Sequence, residues 1–166
     1  MGCGEELDLL TGLGNGYSVE PAGDKPVLAG GGLGAAPLYL LARKLIAAGK
    51  QPTVVLGFNT KADVFFEDEF KALGCPVSVA TVDGSYGTHG FVTDALPADY
   101  SYVFCCGPEA MLKAVHKVIK TSGQFSFEER MGCGFGACMG CSCKTITGYK
   151  RICKDGPVLT KEEILW

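Results

Sequence analysis

No apolar run in this sequence is long enough to span a membrane as a helix, and the N-terminus lacks the charged and apolar regions of a signal peptide. No basic stripe suits nucleic acid and no acidic tail stands out, and the net charge is only −3. Internal repeats and low-complexity tracts are missing as well. These absences leave a soluble, cytoplasmic protein without nucleic-acid or membrane partners as the expectation. With 47% hydrophobic and 20% charged residues the chain has the means to build a core, so disorder is excluded. Its 166 residues allow one domain, or one domain and a small appendage. Nine cysteines in a reducing compartment point to metal binding or catalysis rather than disulfides.

What is present first is an alternation. Glu5 to Leu10 is strand-like but has no neighbour to pair with, and a lone strand cannot stabilise itself. From Pro26 onward strands and helices take turns. Val27-Leu28-Ala29, Thr53 to Leu56, Pro76 to Ala80, Tyr102 to Cys105 and Phe125-Ser126-Phe127 read as strands. Ala35 to Ala48, Phe65 to Leu73 and Glu109 to Thr121 read as helices, and Phe91 to Leu96 as a short one. Pro37 suits a first helical turn and Gly49 a stop. This order implies an α/β fold, a doubly wound parallel sheet with helices on both faces and ligands beyond the carboxyl ends of the strands.

At Arg130 the character changes. Glycine and cysteine dominate, then two short strands flank Thr147-Gly148 as a hairpin. So small a piece, poor in apolar mass, needs a staple to hold its shape. The expected division is 1–22, 23–127 and 128–166.

The staple is read from the thiols. Cys133-x4-Cys138-x2-Cys141 with Cys153 downstream has the spacing of a plant-type [2Fe–2S] site. Four thiolates and two sulfides around two ferric ions leave a net charge of about −2, which needs donors. Gly132, Gly134, Gly136 and Gly140 suit a loop that turns backbone N–H groups inward, and Arg130, Lys144 and Arg151 add diffuse positive charge. Zinc is the alternative, but its sites favour paired knuckles, and Cys141-x-Cys143 would be a poor second one. Cys143 is expected to be a packed non-ligand.

The glycine-rich stretch Gly30-Gly31-Gly32-Leu33-Gly34-Ala35 follows a strand and opens a helix, where a pyrophosphate binds on backbone amides. No Gly-Lys-Ser/Thr follows, so it is not a P-loop, and Ala35 stands in the third glycine place of the dinucleotide fingerprint. A tight strand-to-helix turn explains it equally well without context. That context comes from Cys106-Gly107-Pro108 at the end of a second strand, with Cys106 expected to face the ligand and Cys105 to be buried. Asp83-Gly84-Ser85 ends the third strand with groups suited to cover a nucleotide. No acidic residue closes the second strand, where Asn59 leans toward NADH over NADPH, although Lys61 could meet a phosphate. His89 reads as a loop residue, His116 as a solvated side chain, Cys75 as a turn or core thiol, and Cys3 as uninformative.

A nicotinamide delivers two electrons as hydride and a [2Fe–2S] cluster takes one at a time, so a flavin should stand between them. Gly12-Leu13-Gly14-Asn15-Gly16-Tyr17, Gly30 to Pro37, Asp83 to Gly87, Cys106-Gly107-Pro108 and the cysteine spacing occur in one order. "ERMGCGFGACMGCSCK" and "CKDGPV" are the most specific stretches. In these the chain resembles the C-terminal two thirds of the electron-transfer subunits of class 1B dihydroorotate dehydrogenases, ferredoxin-reductase-like proteins. The resemblance implies an N-terminal FAD-binding barrel of which 1–22 is the tail, an NAD-binding α/β domain, and a small C-terminal [2Fe–2S] domain. It implies passage of electrons from NADH through FAD and the cluster to the FMN of a dihydroorotate dehydrogenase catalytic subunit, in a heterotetramer serving pyrimidine biosynthesis. By residue it implies Cys133, Cys138, Cys141 and Cys153 as cluster ligands and Gly30, Gly31, Gly32, Gly34 and Ala35 as holders of the NAD pyrophosphate. Cys106, Gly107 and Pro108 would lie near the nicotinamide, with Cys106 at the reacting centre, and Gly14, Asn15 and Gly16 near the flavin. Two alternatives stand beside it. One is a related reductase subunit of sulfhydrogenase, sulfite reductase or NADH–ferredoxin oxidoreductase type; the other is a zinc-stapled nucleotide-binding module without a redox role.

Overall fold

The computed structural model describes residue 2 and residues 4–166; Met1 and Cys3 lie outside them, Cys3 with its expected lack of a role. Strands β1 (Pro26–Gly31), β2 (Thr53–Phe58), β3 (Val77–Thr81), β4 (Thr88–His89), β5 (Tyr102–Cys106) and β6 (Gly123–Ser126) pair in parallel in the order β4-β3-β2-β1-β5-β6. The central strands are near-continuous apolar runs because helices cover both of their faces. Every residue of β1 is buried. Its side chains alternate between two cores: Leu28 joins Leu56 and Phe104 on one face, while Val27 and Ala29 join Val55, Val103 and Cys105 on the other.

Helix α1 (Ala35–Ala47) fills the first face with Leu38, Leu41, Ala42 and Leu45, spaced at i, i+3, i+4 and i+7. Helix α2 (Glu67–Ala72) adds Phe70. Helix α3 (Glu109–Val118) closes the second face with Leu112 and Val115, beside a 3₁₀ turn at Val92–Ala95. The helices at 35, 67 and 109 and the turn at 92 follow the sequence pattern. α2 is shorter than expected because Phe66 sits in the left-handed region at φ 65° and Phe65 packs edge-on against Phe58 instead.

Two expectations fail. Glu5 to Leu10 forms no strand; the segment is irregular and exposed. His116 is not solvated: its ring lies between Phe125 and Trp166, and Nε2 donates to the Lys161 carbonyl at 3.1 Å.

The cysteine-rich segment joins the sheet. Its hairpin, β7 (Ser142–Thr145) and β8 (Gly148–Arg151), is a separate two-stranded ladder, but β9 (Val158–Thr160) pairs antiparallel with β6 and becomes the seventh strand. Ile152, Leu159 and Ile164 pack into the core that α3 covers. Each such side chain contributes about 1.5–3 kcal/mol on full burial. The segment therefore draws stability from the main sheet edge as well as from any staple. Lys161 secures it further, its ammonium donating to the Ile119 and Thr121 carbonyls past the end of α3 at 2.7 and 3.1 Å.

The N-terminal residues are tied to the same edge. Ser18 and buried Gln124 exchange two hydrogen bonds, and the Tyr17 hydroxyl donates to the Cys105 carbonyl at 2.8 Å. Among the described residues no helix is long and apolar enough to cross a membrane.

Candidate functional site

The sheet order places β1 between β2 and β5, so the connections from β1 and β5 leave in opposite directions and open a crevice at the carboxyl ends of the strands. The loop after β1 and the loop after β5 meet there. A Cβ on Gly34 would lie 2.1 Å from the Cys106 carbonyl oxygen and 2.8 Å from the Gly107 nitrogen, so only glycine allows the two loops to touch. Gly31 is equally confined, by the Met111 sulfur and Pro108. A Cβ on Gly32, in contrast, meets nothing within 4 Å, and its φ is +52°. Gly30, Gly31, Gly32, Gly34 and Ala35 thus form one floor with Gly107 and Pro108, and the backbone at Gly32 is open to a ligand.

Beside this floor lies a cavity of about 750 Å³ walled by Leu33, Phe58, Phe65, Phe91, Val92 and Met111, with Asn59 and Asp63 as polar groups. Its size and apolar lining suit a nucleoside. The sequence reading missed Asp63, Phe65, Phe91 and Met111, which come together only through the fold. Asp63 was the findable one: Thr60-Lys61-Ala62-Asp63 is a capping box, and Asp63 Oδ2 accepts from Thr60 N and Oγ1, both at 3.1 Å.

Asp83, Gly84 and Ser85 stand at the outer margin. Asp83 accepts from the Ser85 amide and hydroxyl at 2.9 and 2.6 Å, and Ser85 Oγ accepts from the Lys61 amide at 2.8 Å. The Ser85 bonds hold the Asp83 carboxyl below its ordinary pKa. The Lys61 ammonium lies over the Tyr86 ring, 5.5 Å from its centroid.

Cys106 ends β5, half-buried, its thiol pushed above the usual pKa by burial and sharing its surroundings with the Tyr17 and Ser126 hydroxyls. Cys105 is fully buried and its thiol is likewise raised by burial; Cys75 is buried. His89 is exposed on β4.

The thiol cluster lies below α3. Cys133, Cys138, Cys141 and Cys153 fall into two pairs, each joined by a bond from one residue's amide to the other's sulfur: Cys138 to Cys133 and Cys153 to Cys141, both at 3.4 Å. Backbone amides point at the sulfurs. Ala137 and Cys138 donate to Cys133 Sγ at 3.2 and 3.4 Å, Gly140 to Cys138 Sγ at 3.5 Å, and Cys153 to Cys141 Sγ at 3.4 Å. These donors, the Cys138 amide foremost, lower the Cys133 thiol to about 6, and the Cys153 amide lowers Cys141. Burial raises Cys153, with the neighbouring Cys141 adding to it. Gly134 and Gly136 adopt positive φ as the loop reading requires, Gly132 and Gly140 do not, and Met139 takes the left-handed conformation at φ 61° instead. Among the described residues no three His, Cys, Asp or Glu side chains meet at a single-ion point. Two thiol pairs dressed with amide donors are a donor set for two metal ions carrying excess negative charge, and fit an iron–sulfur cluster. Cys143 is half-buried and lines a cavity of about 420 Å³ with Pro108, Phe127 and Trp166.

Arg151 is not diffuse charge. It forks onto Asp155, Nε to Oδ2 at 2.8 Å and Nη2 to Oδ1 at 3.1 Å. Gly14, Asn15 and Gly16 also lie at this module. The Asn15 side chain donates to the Val158 and Asp155 carbonyls and accepts from the Val158 amide, and its own amide donates to Gly156.

Two family models match the chain. The oxidoreductase NAD-binding domain covers residues 28–117, and the iron–sulfur cluster binding domain of dihydroorotate dehydrogenase B covers residues 128–165. The protein of Shouchella clausii named dihydroorotate dehydrogenase B (NAD(+)), electron transfer subunit, is 46% identical over 98% of this chain and 66% of its own length. Its namesake in Bacillus caldolyticus is also 46% identical, with the same coverage. The chain therefore spans 66% of the length of these curated relatives. Among solved structures, a NADH-dependent reduced ferredoxin-NADP oxidoreductase superposes with a TM-score of 0.84 at 33% identity, over 96% of this chain and 60% of that one.

Proposed function

The chain belongs to the NAD-binding oxidoreductases and ends in the iron–sulfur cluster binding domain of dihydroorotate dehydrogenase B, and from that premise we propose that it is the electron transfer subunit of a dihydroorotate dehydrogenase. In this reading dihydroorotate is oxidised at the FMN of a catalytic subunit and its electrons pass through a [2Fe–2S] cluster and FAD to NAD+, opposite in direction to the sequence expectation because that oxidation supplies electrons, within a cytoplasmic heterotetramer. When bound, the cluster would carry single electrons, the flavin would gather them in pairs, and the nicotinamide would accept the pair as hydride. The observation that carries the reading is the coincidence of 46% identity along 98% of the chain with two amide-dressed thiol pairs.

The chain's own residues do the following. Gly30 to Ala35 present backbone amides at the start of α1, where the helix end favours a pyrophosphate. Phe65 and Phe91 line the cavity and would offer apolar surface to the adenine, and Asp63 in the same wall would accept from ribose hydroxyls. A carboxylate there repels a ribose phosphate, which supports NADH over NADPH. Cys106, Gly107 and Pro108 would let the nicotinamide approach the backbone at the end of β5. Cys133, Cys138, Cys141 and Cys153 would hold the cluster, and the amides of Ala137, Cys138, Gly140 and Cys153 would offset the sulfur charge. Asn15 gives its hydrogen bonds to the cluster module, so support for FAD comes from the kinship.

A second reading has one specific observation behind it. The likeness to the ferredoxin-linked oxidoreductase favours the same modules working with another acceptor. One experiment separates the two. The chain is co-expressed with its native neighbours, purified anaerobically, and tested for co-purifying protein, flavin, iron and acid-labile sulfide, and for dihydroorotate-dependent NAD+ reduction. The proposal expects an FMN-bearing partner and that activity. A flavin- and cluster-loaded complex inert to dihydroorotate refutes it in favour of the second reading, and a zinc-loaded colourless protein refutes both.

A further inference from the structure

Arg151 touches both thiol-bearing segments. Its Nη1 donates to the Gly136 carbonyl at 2.9 Å, inside the loop between Cys133 and Cys138 whose amides point at Cys133. Its remaining guanidinium bonds go to Asp155, two residues beyond Cys153, and its amide also donates to Asp155 Oδ2 at 2.9 Å. Its own carbonyl accepts from the amides of Lys154, Asp155 and Gly156, which folds the Cys153 turn back onto the end of β8. The Arg151 side chain is only 26% exposed, and its two anchors, Gly136 and Asp155, lie two residues from Cys138 and Cys153 respectively.

We infer that Arg151 is a positioning residue for the cluster: its planar fork locks the Cys133–Cys138 loop to the Cys153 turn, and its charge, partly offset by Asp155, raises the cluster's reduction potential. This rests on the iron–sulfur reading above. Reduction adds a negative charge to the cluster, and a half-buried cation nearby favours the reduced form because water screens it less. Asp155 works against that gain while holding the guanidinium in place. The planar geometry separates the two roles, since a lysine at this position keeps the charge but cannot bond Gly136 and Asp155 in the same fixed arrangement.

The test uses the whole chain, reconstituted anaerobically with ferrous iron and sulfide. Wild type must first give equal iron and acid-labile sulfide with a rhombic signal on reduction; failure at this stage overturns the iron–sulfur reading itself. Midpoint potentials are then titrated by paramagnetic resonance for Arg151→Gln, Arg151→Lys and Asp155→Asn, and cluster loss is followed by visible absorbance. The expected result is a negative shift in Arg151→Gln and a positive shift in Asp155→Asn. Arg151→Lys should stay nearer the wild-type potential yet lose its cluster several-fold faster than wild type. Potentials of Arg151→Gln and Asp155→Asn that are unchanged, or that move in the same direction, overturn the inference. Should Arg151→Gln hold no cluster, Asp155→Asn decides: a positive shift supports the inference and an unchanged potential overturns it.

Discussion

Asn15→Ala removes a brace that joins the segment before β1 to the cluster module across more than a hundred residues of chain. The side chain makes three hydrogen bonds: Nδ2 to the Val158 carbonyl at 2.9 Å, Nδ2 to the Asp155 carbonyl at 3.3 Å, and Oδ1 from the Val158 amide at 2.9 Å. At roughly 1 kcal/mol each the sum is about 3 kcal/mol, but the Asp155 bond is long and exposed and water replaces it, leaving about 2 kcal/mol. For a domain of this size that lowers Tm by roughly 4–8 °C. Gly14 belongs to the same brace, at φ +62° with a hypothetical Cβ 2.2 Å from the Gly156 carbonyl oxygen, so a side chain there disrupts the same contact. The assay is thermal unfolding of the metal-free chain by circular dichroism, with limited proteolysis of residues 5–14 as a second readout. Asn15→Ala should melt earlier and be cut faster. A Tm within about 1 °C of wild type, with unchanged proteolysis, refutes the reasoning, because a brace without free energy is only a crossing of chains.

Other perturbations test the two sites. Cys138→Ser should abolish cluster assembly, read as iron and sulfide content, while the far-ultraviolet dichroism stays that of a folded α/β chain; a full iron complement contradicts the pairing with Cys133. Gly34→Ala forces a Cβ into the Cys106–Gly107 backbone, so NADH affinity should fall at least about tenfold, some 1.4 kcal/mol; unaltered affinity in titration calorimetry counts against a shared floor. Asp63→Ser should raise NADPH affinity relative to NADH several-fold, and an unchanged ratio removes Asp63 from coenzyme choice. In the metal-free chain, iodoacetamide labelling of Cys133 should rise with a midpoint near pH 6, since amide donors depress its thiol to about 6. The sign follows from linkage: this group's contribution to folding is full above about pH 8.5, its unfolded value, and is lost as pH falls through about 6. A labelling midpoint near 8.5 contradicts the donor geometry.

The parts legible in the sequence share one property: each is written in consecutive residues. The strand–loop–helix units at 26–47 and 102–118 announced themselves because β-branched or apolar runs, a glycine-rich turn and a helical period follow one another. The cysteine spacing could be read for the same reason. What stayed hidden depends on residues far apart in the chain. Val158-Leu159-Thr160 carries no strand signature of its own and becomes β9 only because β6 offers an unpaired edge. The strand expected at residues 5–10 has the opposite problem, a plausible local pattern that pairs with no strand among the described residues. His116 reads as solvated among lysines on its helix, and Trp166, fifty residues on, changes its surroundings.

The same distinction explains how the two sites relate. The nucleotide floor is a property of the sheet, fixed by strand order, and its glycines are required by contacts between β1 and β5. The cluster loop is fixed by bonds that cross between segments: Arg151 to Gly136, Asn15 to Val158, Lys161 to the end of α3. A module held to the sheet edge by β9, by Ile152, Leu159 and Ile164 in the shared core and by these bonds keeps its thiols at a set place relative to Cys106. Electron transfer depends steeply on separation, so in the proposed reading, where a flavin would stand between the two sites, holding both on one sheet would favour it. Loosening Asn15 or Lys161 should therefore disturb traffic between the sites before it disturbs either site's own chemistry.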